Sequence, residues 1–127
     1  MRVLIADDQP KVRFALHILL DRQPGIKVVG EAVDAQDLLR QAQNTNPDLL
    51  LLDWELPGLA KSGLLPALRK VYPNLSVIAL SGRTEASHAA LAAGVNAFVS
   101  KVEPPEHLLS AISRYQDLRL PKVSIAG

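Results

Sequence analysis

Five short apolar runs, separated by segments with helical spacing, limit what this chain can fold into more than any other feature of its sequence. They occupy residues 3–6, 26–29, 49–52, 77–80 and 95–99. Each has the length of a strand, and Val and Ile are frequent in all but the leucine-rich third. The middle runs barely alternate, which suits strands buried on both faces of a parallel sheet. Pro10 can open a first helix without losing a needed hydrogen bond, and Val12, Leu16, Leu19 and Leu20 then share a face. Asp34 can cap a second helix, with Leu38, Leu39 and Ala42 turned inward. A third is expected over 64–72, starting irregularly because of Pro66. Thr84 can cap a fourth, and Gly94 can end it in a left-handed conformation. Pro104 and Pro105 open a fifth, with Leu108, Leu109 and Ile112 on one face. Strict alternation of this kind predicts one α/β domain, a parallel sheet covered by helices on both sides.

In such sheets ligands gather at the carboxyl ends of the strands. The first run is followed there by Asp7 and Asp8, the third by Asp53, Trp54 and Glu55, the fourth by Ser81 and Gly82, and the fifth by Ser100 and Lys101. Three neighbouring carboxylates repel one another, and a hard divalent cation such as Mg²⁺ resolves that repulsion. Lys101 and Ser81 supply a positive charge and a hydrogen-bond donor for a phosphoryl group, and Gly82 lets its backbone N–H come close. Phosphoryl transfer, with one of the carboxylates as nucleophile, is the chemistry such a set suits. Taken singly, each residue has a blander reading: Asp7 or Asp8 as a turn residue, Ser81–Gly82 as a turn, Lys101 as a solvated lysine, Phe98 as core.

Composition removes several classes. The 127 residues include no cysteine, which excludes disulfide scaffolds, thiolate zinc sites and cysteine nucleophiles. Fourteen Lys and Arg against thirteen Asp and Glu leave a net charge of +1, too little to hold nucleic acid or an anionic membrane by charge alone. The opening MRVLIADD breaks its apolar run with two acids, unlike a signal peptide or a membrane span. The expectation is a single cytoplasmic domain with no membrane partner. His17, His88 and His107 lack metal-ligand spacing and read as surface residues. So do Arg69, Lys70, Arg114 and Arg119, scattered as on solvated helix faces. The alanine-rich stretch 86–93 reads as a partner surface.

Four sequence elements stand in order, each at an expected strand end: LIADDQP, LLLLDWELPG, the SG after VIAL, and AAGVNAFVSK. On these elements, over about residues 2–116, the sequence resembles bacterial response-regulator receiver domains. VLIADD and PGIKVVGEAVDAQDLL are most similar to the LuxR/NarL-type class. The resemblance implies a flavodoxin-like, doubly wound (βα)5 sandwich with a five-stranded parallel sheet in the order 2-1-3-4-5. It implies a receiver domain over residues 1–119, with 120–127 as a C-terminal tail or the start of a linker to an output domain.

It also implies roles. Asp53 would be the phosphoacceptor, phosphorylated by a sensor histidine kinase or a phosphotransfer protein. Asp8 and Asp53 would bind Mg²⁺ (or Mn²⁺) directly, Asp7 through water and Glu55 through its backbone carbonyl. Lys101 and Ser81 would hold the phosphoryl oxygens, helped by the backbone N–H groups of Trp54 and Gly82. On phosphorylation Ser81 and Phe98 would move, and the surface of the fourth helix, fifth strand and fifth helix would repack. The domain would be an autocatalytic phosphoacceptor that dephosphorylates itself, not a classical enzyme. A homodimer is among the implied partners, and DNA binding would belong to a segment beyond residue 127.

Two departures stand out. Family members usually space a glycine four residues after the proline that follows the acceptor; here Gly63 is six after Pro57, so the loop is two residues longer and lacks the usual acidic residue or Asn before that glycine. Lys101 is followed by Val102 where many receivers have a proline. Glu55 and Arg83 stand where the family tunes loss of the phosphoryl group. A haloacid-dehalogenase-type phosphatase would need an Asp-x-Asp after the first strand, and a flavodoxin-type carrier a hydroxyl- and Gly-rich loop there; neither is present. The alternative that stays open is a degenerate receiver that serves only for docking or dimerisation.

Overall fold

The computed structural model describes residues 1–118, without the side chains of residues 61 and 62. Strands β1 (Arg2–Ala6), β2 (Lys27–Ala32), β3 (Leu49–Asp53), β4 (Ser76–Ser81) and β5 (Ala97–Ser100) form one parallel sheet in the order β2-β1-β3-β4-β5. Helices α1 (Pro10–Asp21), α2 (Ala35–Thr45), α3 (Leu59–Ser62), α4 (Leu64–Val71), α5 (Ala86–Ala92) and α6 (Pro105–Leu118) connect the strands and extend beyond the last. This is the flavodoxin-like doubly wound fold expected from the sequence. Among the described residues, no helix is long and apolar enough to cross a membrane.

The sheet divides the core in two. Leu4, Leu50, Leu52, Val77 and Ala79 face one way, toward α2, α4 and α5. Val3, Ile5, Leu49, Leu51, Ile78 and Leu80 face the other, toward Leu16 and Leu20 of α1 and Leu108 and Ile112 of α6. β3 is buried along its whole length, as its leucine run requires.

Local signals placed most element ends. Pro10 opens α1, and the Asp34 carboxylate caps α2 by accepting from the Asp37 N–H at 2.7 Å. Gly94 follows α5 with φ +104°, a conformation open to glycine.

Several expectations need correction. β2 runs on to Ala32, past the expected end at Val29, because a bulge near Val29 shifts its register against β1 and restores pairing beyond it. β5 starts at Ala97; Val95 lies in the preceding turn, with its N–H on the Ala90 carbonyl. Thr84 does not cap α5, which begins after Glu85 without a side-chain cap. Leu39 is exposed on α2, whose inward face is carried by Ala35, Leu38 and Ala42. The longer loop after Pro57 forms the one-turn helix α3, held by the buried Leu56 and Leu59. Arg69 is no solvated residue: its guanidinium donates to the carbonyls of Leu75 and Gly94 and to the Asn96 side chain. Arg119 and the expected tail or linker over 120–127 lie outside the described residues.

Candidate functional site

Strand register assembles the site. Ala6 pairs with Leu52, so Asp7 and Asp53 fall side by side at the carboxyl ends of neighbouring strands. Ser81 pairs with Ser100, and the Lys101 N–H donates to the Ser81 carbonyl at 2.8 Å, which sets Lys101 one residue beyond the pair. Alternation then sorts the side chains. Asp7, Asp53 and Lys101 continue the row of Ile5, Leu51 and Val99, on the α1–α6 side. Ser81 and Phe98 continue the row of Ala79, on the other side.

The charged trio is compact and largely out of solvent. Lys101 Nζ lies 2.8 Å from Asp7 Oδ2 and 3.3 Å from Asp53 Oδ1. Asp7 is 1% exposed and Asp53 3%, while Lys101 keeps 21% of its side chain in solvent. Asp7 Oδ1 accepts from the Gln9 N–H at 2.9 Å, and Asp53 Oδ1 from the Glu55 N–H at 3.0 Å. Burial raises the Asp53 pKa, and the Asp7 charge adds to the rise; the Glu55 N–H and Lys101 oppose it without cancelling it. For Lys101, burial is the largest single influence and lowers the pKa. The Asp7 hydrogen bond, with the charges of Asp53 and Asp7, outweighs it, and the net direction is upward.

Asp8 is exposed beside this trio. Asp7, Asp8 and Asp53 each present a carboxylate oxygen, all within 4.8 Å of one another. Three carboxylates against one ammonium leave the rim with excess negative charge. An all-oxygen donor set of that charge fits a hard divalent cation.

Ser81 is fully buried, and its hydroxyl is held by two neighbours. It donates to Glu55 Oε1 at 2.7 Å and accepts from the Arg83 N–H at 3.0 Å. Gly82 is exposed, and a Cβ there would meet nothing within 4 Å. The Trp54 N–H donates to the Leu80 carbonyl at 2.8 Å in the sheet, and the backbone donor on Asp53 is Glu55. Trp54 and Phe98 are half-buried and pack against the same core layer.

Two features escaped the sequence reading. Arg13 donates to the Asp7 carbonyl at 2.7 Å and lies 3.5 Å from Glu31, tying α1 and β2 to the turn that carries the acids. Its placement on α1, one helical turn after Pro10, is the only signal that could have found it. For Glu55, already singled out in sequence, what escaped is the bond of its carboxylate to Ser81, 26 residues away.

Residues 3–113 match the family described as response regulator receiver domain. The nitrate/nitrite response regulator NarL of Escherichia coli K12 is 33% identical over 112 residues, 87% of this chain and 52% of NarL. The fimbriae Z protein of Salmonella typhimurium is 32% identical, over 87% of this chain and 53% of its own. The chain thus spans about half the length of these curated relatives. Among solved structures, the isolated REC domain of RcsB from Salmonella enterica with phosphomimetic BeF3⁻ superposes with a TM-score of 0.83 at 28% identity, over 92% of this chain and 88% of that one. A LuxR-family two-component response regulator from Aurantimonas gives 0.82 at 30% identity, over 93% and 86%. With residues 3–113 matched by that family and NarL 33% identical over 87% of this sequence, the chain belongs to the response regulator receiver domain family.

Proposed function

We propose that Asp53 is the phosphoacceptor of a two-component signalling switch. The observation that carries this reading is the part-buried ammonium of Lys101, within 3.3 Å of both Asp7 and Asp53 on one side of the sheet rim. A carboxylate oxygen of Asp53 attacks the phosphorus of a phosphohistidine on a sensor kinase or phosphotransfer protein. The new O–P bond forms as the P–N bond breaks, and the imidazole leaves. Water later attacks that phosphorus, the Asp53 O–P bond breaks, and inorganic phosphate leaves with Asp53 restored as a carboxylate. Lys101 balances charge on the phosphoryl oxygens and Ser81 donates a hydrogen bond to one of them, with the Gly82 N–H alongside.

Asp8 and Asp53, with Asp7 through water and the Glu55 backbone carbonyl, would hold Mg²⁺ or Mn²⁺. Such a cation supplies neutralisation of the charge shared by the carboxylates and the incoming phosphoryl group. Ser81 and Phe98 share a face of the sheet at its β4–β5 edge, so a shift of Ser81 reaches the surface formed by α5, β5 and α6 through Phe98.

We assign the receiver to residues 1–119. The family match to residue 113 and the course of α6 to Leu118 support that boundary. The remaining 120–127 serve as tail or linker. The output is proposed as a DNA-binding domain, because NarL is a response regulator and a related RcsB structure is bound to a promoter. One relative is instead a protein-glutamate methylesterase, so a receiver of this kind also accompanies an enzymatic output. A homodimer is a second proposed partnership.

The test is phosphorylation by acetyl phosphate with Mg²⁺, followed by mass spectrometry and by the fluorescence of Trp54, the one tryptophan. Wild type should gain one phosphoryl group and Asp53→Asn none. No gain in wild type at millimolar Mg²⁺ would favour the docking-only reading. Lys101→Ala should still bind the cation but fail to couple phosphorylation to Phe98.

A further inference from the structure

We propose that Glu55 is a resting-state latch on Ser81, a positioning residue that sets how strongly the switch is held off. The proposal rests on the phosphoacceptor reading and goes beyond it by giving the Glu55 side chain a part of its own.

Residue 55 touches both working groups. Its backbone N–H donates to Asp53 Oδ1 at 3.0 Å, and its carboxylate accepts the Ser81 hydroxyl proton at 2.7 Å. A serine has one hydroxyl proton. While Glu55 holds it, Ser81 has none to offer an oxygen on Asp53. The Arg83 N–H, 3.0 Å from Ser81 Oγ, fills an acceptor position of the same hydroxyl. Ser81 is fully buried, so water does not compete for that proton, and a charge-assisted bond in such a place is among the stronger ones.

Release of the bond is feasible because Glu55 is itself exposed and adjoins a recess of about 510 Å³ lined by Trp54, Leu56, Gly58, Ala60 and Arg83. A carboxylate swung into that space regains water. A phosphoryl group on Asp53 would repel Glu55 and attract the Ser81 proton, so both influences break the latch together. Glu55 therefore opposes the switched state in two ways: it holds the proton, and it places a like charge beside the phosphoryl group.

The experiment is a beryllofluoride titration at saturating Mg²⁺, read by Trp54 fluorescence, in wild type, Glu55→Gln, Glu55→Ala, Ser81→Ala and the Glu55→Ala/Ser81→Ala double variant. Thermal unfolding of each checks folding. Glu55→Ala should bind about fivefold more tightly than wild type. Glu55→Gln, which keeps an acceptor oxygen without the charge, should fall between them. In the Ser81→Ala background the gain should shrink to about twofold at most, the repulsive remainder. In the cation-free protein the Arg83 amide resonance should shift in Glu55→Ala as its partner hydroxyl turns free. Equal affinities for wild type and Glu55→Ala, or a full gain without Ser81, would overturn the latch and leave the phosphoacceptor reading standing. No response in wild type or Glu55→Ala would bring down that reading, and the latch with it.

Discussion

The two rims of the sheet use their polar side chains in different ways. At the amino ends of the strands, charged groups terminate on the backbone. Arg69 reaches the carbonyls of Leu75 and Gly94, Arg2 donates twice to the Thr45 carbonyl, and Asp48 accepts the Arg2 N–H at 2.8 Å. Asn96 joins them, its side-chain oxygen accepting from both Arg69 and the Val77 N–H. At the carboxyl ends, side chains held by the backbone N–H groups of Gln9, Glu55 and Arg83 also bond one another: Lys101 to Asp7 and Asp53, Ser81 to Glu55. A bond to backbone is as fixed as the strand that presents it. A bond between side chains can be exchanged by rotating either one. The first rim holds the chain connections in place; the second can be rearranged by a new charge.

The largest effect that would sharpen this contrast is expected at Arg69. Arg69→Ala strips partners from two carbonyls and one amide oxygen where the loops before β4 and β5 converge, and should destabilise the protein by about 3 kcal/mol. Urea unfolding measures it. Burial lowers the Arg69 pKa, but a guanidinium stays charged across the accessible range, so the loss should not vary with pH between 5 and 8. Beryllofluoride binding should be unchanged. A loss of binding that exceeded the loss of stability would show that the two rims are coupled, and would break the division drawn above.

Lys101→Ala comes next. It leaves Asp7 and Asp53 buried side by side without their ammonium, and should destabilise the cation-free protein by about 2 kcal/mol. The figure is smaller than for a fully buried pair because the lysine is part exposed and water can reach its place. Added Mg²⁺ should recover much of the loss in Lys101→Ala and little in Arg69→Ala. Equal recovery in both would mean that the carboxyl rim holds its charges no differently from the other.

The carboxyl rim was also the more legible of the two in sequence, for a physical reason. Each working strand is an apolar run ended by a charged or hydroxyl residue, so the strand ends themselves announce Asp7, Asp53, Ser81 and Lys101. Parallel pairing then brings strand ends together with little freedom. What stayed hidden depends on contacts distant in sequence. Arg69 looks solvated on its own helix, and only the tertiary fold delivers carbonyls from residues 75 and 94. The Glu55–Ser81 bond and the bond of the Trp54 N–H to the Leu80 carbonyl arise the same way. Local misreadings have a different source. Gly30 and Glu31 look like a strand end, but an edge strand tolerates both, and the bulge beside Val29 keeps them paired. Val95 looks like strand, but it is an apolar plug in the turn before one.

Asp53→Asn should give the smallest change in stability, and its sign is the sharpest test of the contrast. At the amino rim every removal of charge should destabilise. At Asp53 the raised pKa means that folding disfavours the ionised carboxylate, through burial first and then the charge of Asp7. The folded protein therefore holds this proton to higher pH than the unfolded chain does. Stability contributed by the protonated acid is present below the unfolded pKa, near the ordinary aspartate value of 3.8, and is lost as pH rises through the folded value. Asparagine, which never ionises, keeps that stability. In the absence of a divalent cation Asp53→Asn should thus be more stable than wild type at pH 7. The advantage should disappear as pH falls toward the unfolded value, where wild type is neutral too. Saturating Mg²⁺ should narrow it at pH 7, because the cation binds wild type and stabilises it by mass action. Thermal unfolding of both proteins, with and without Mg²⁺, decides the matter. A destabilised Asp53→Asn at neutral pH without cation would place Asp53 among the static staples, and the carboxyl rim would then be held together like the other.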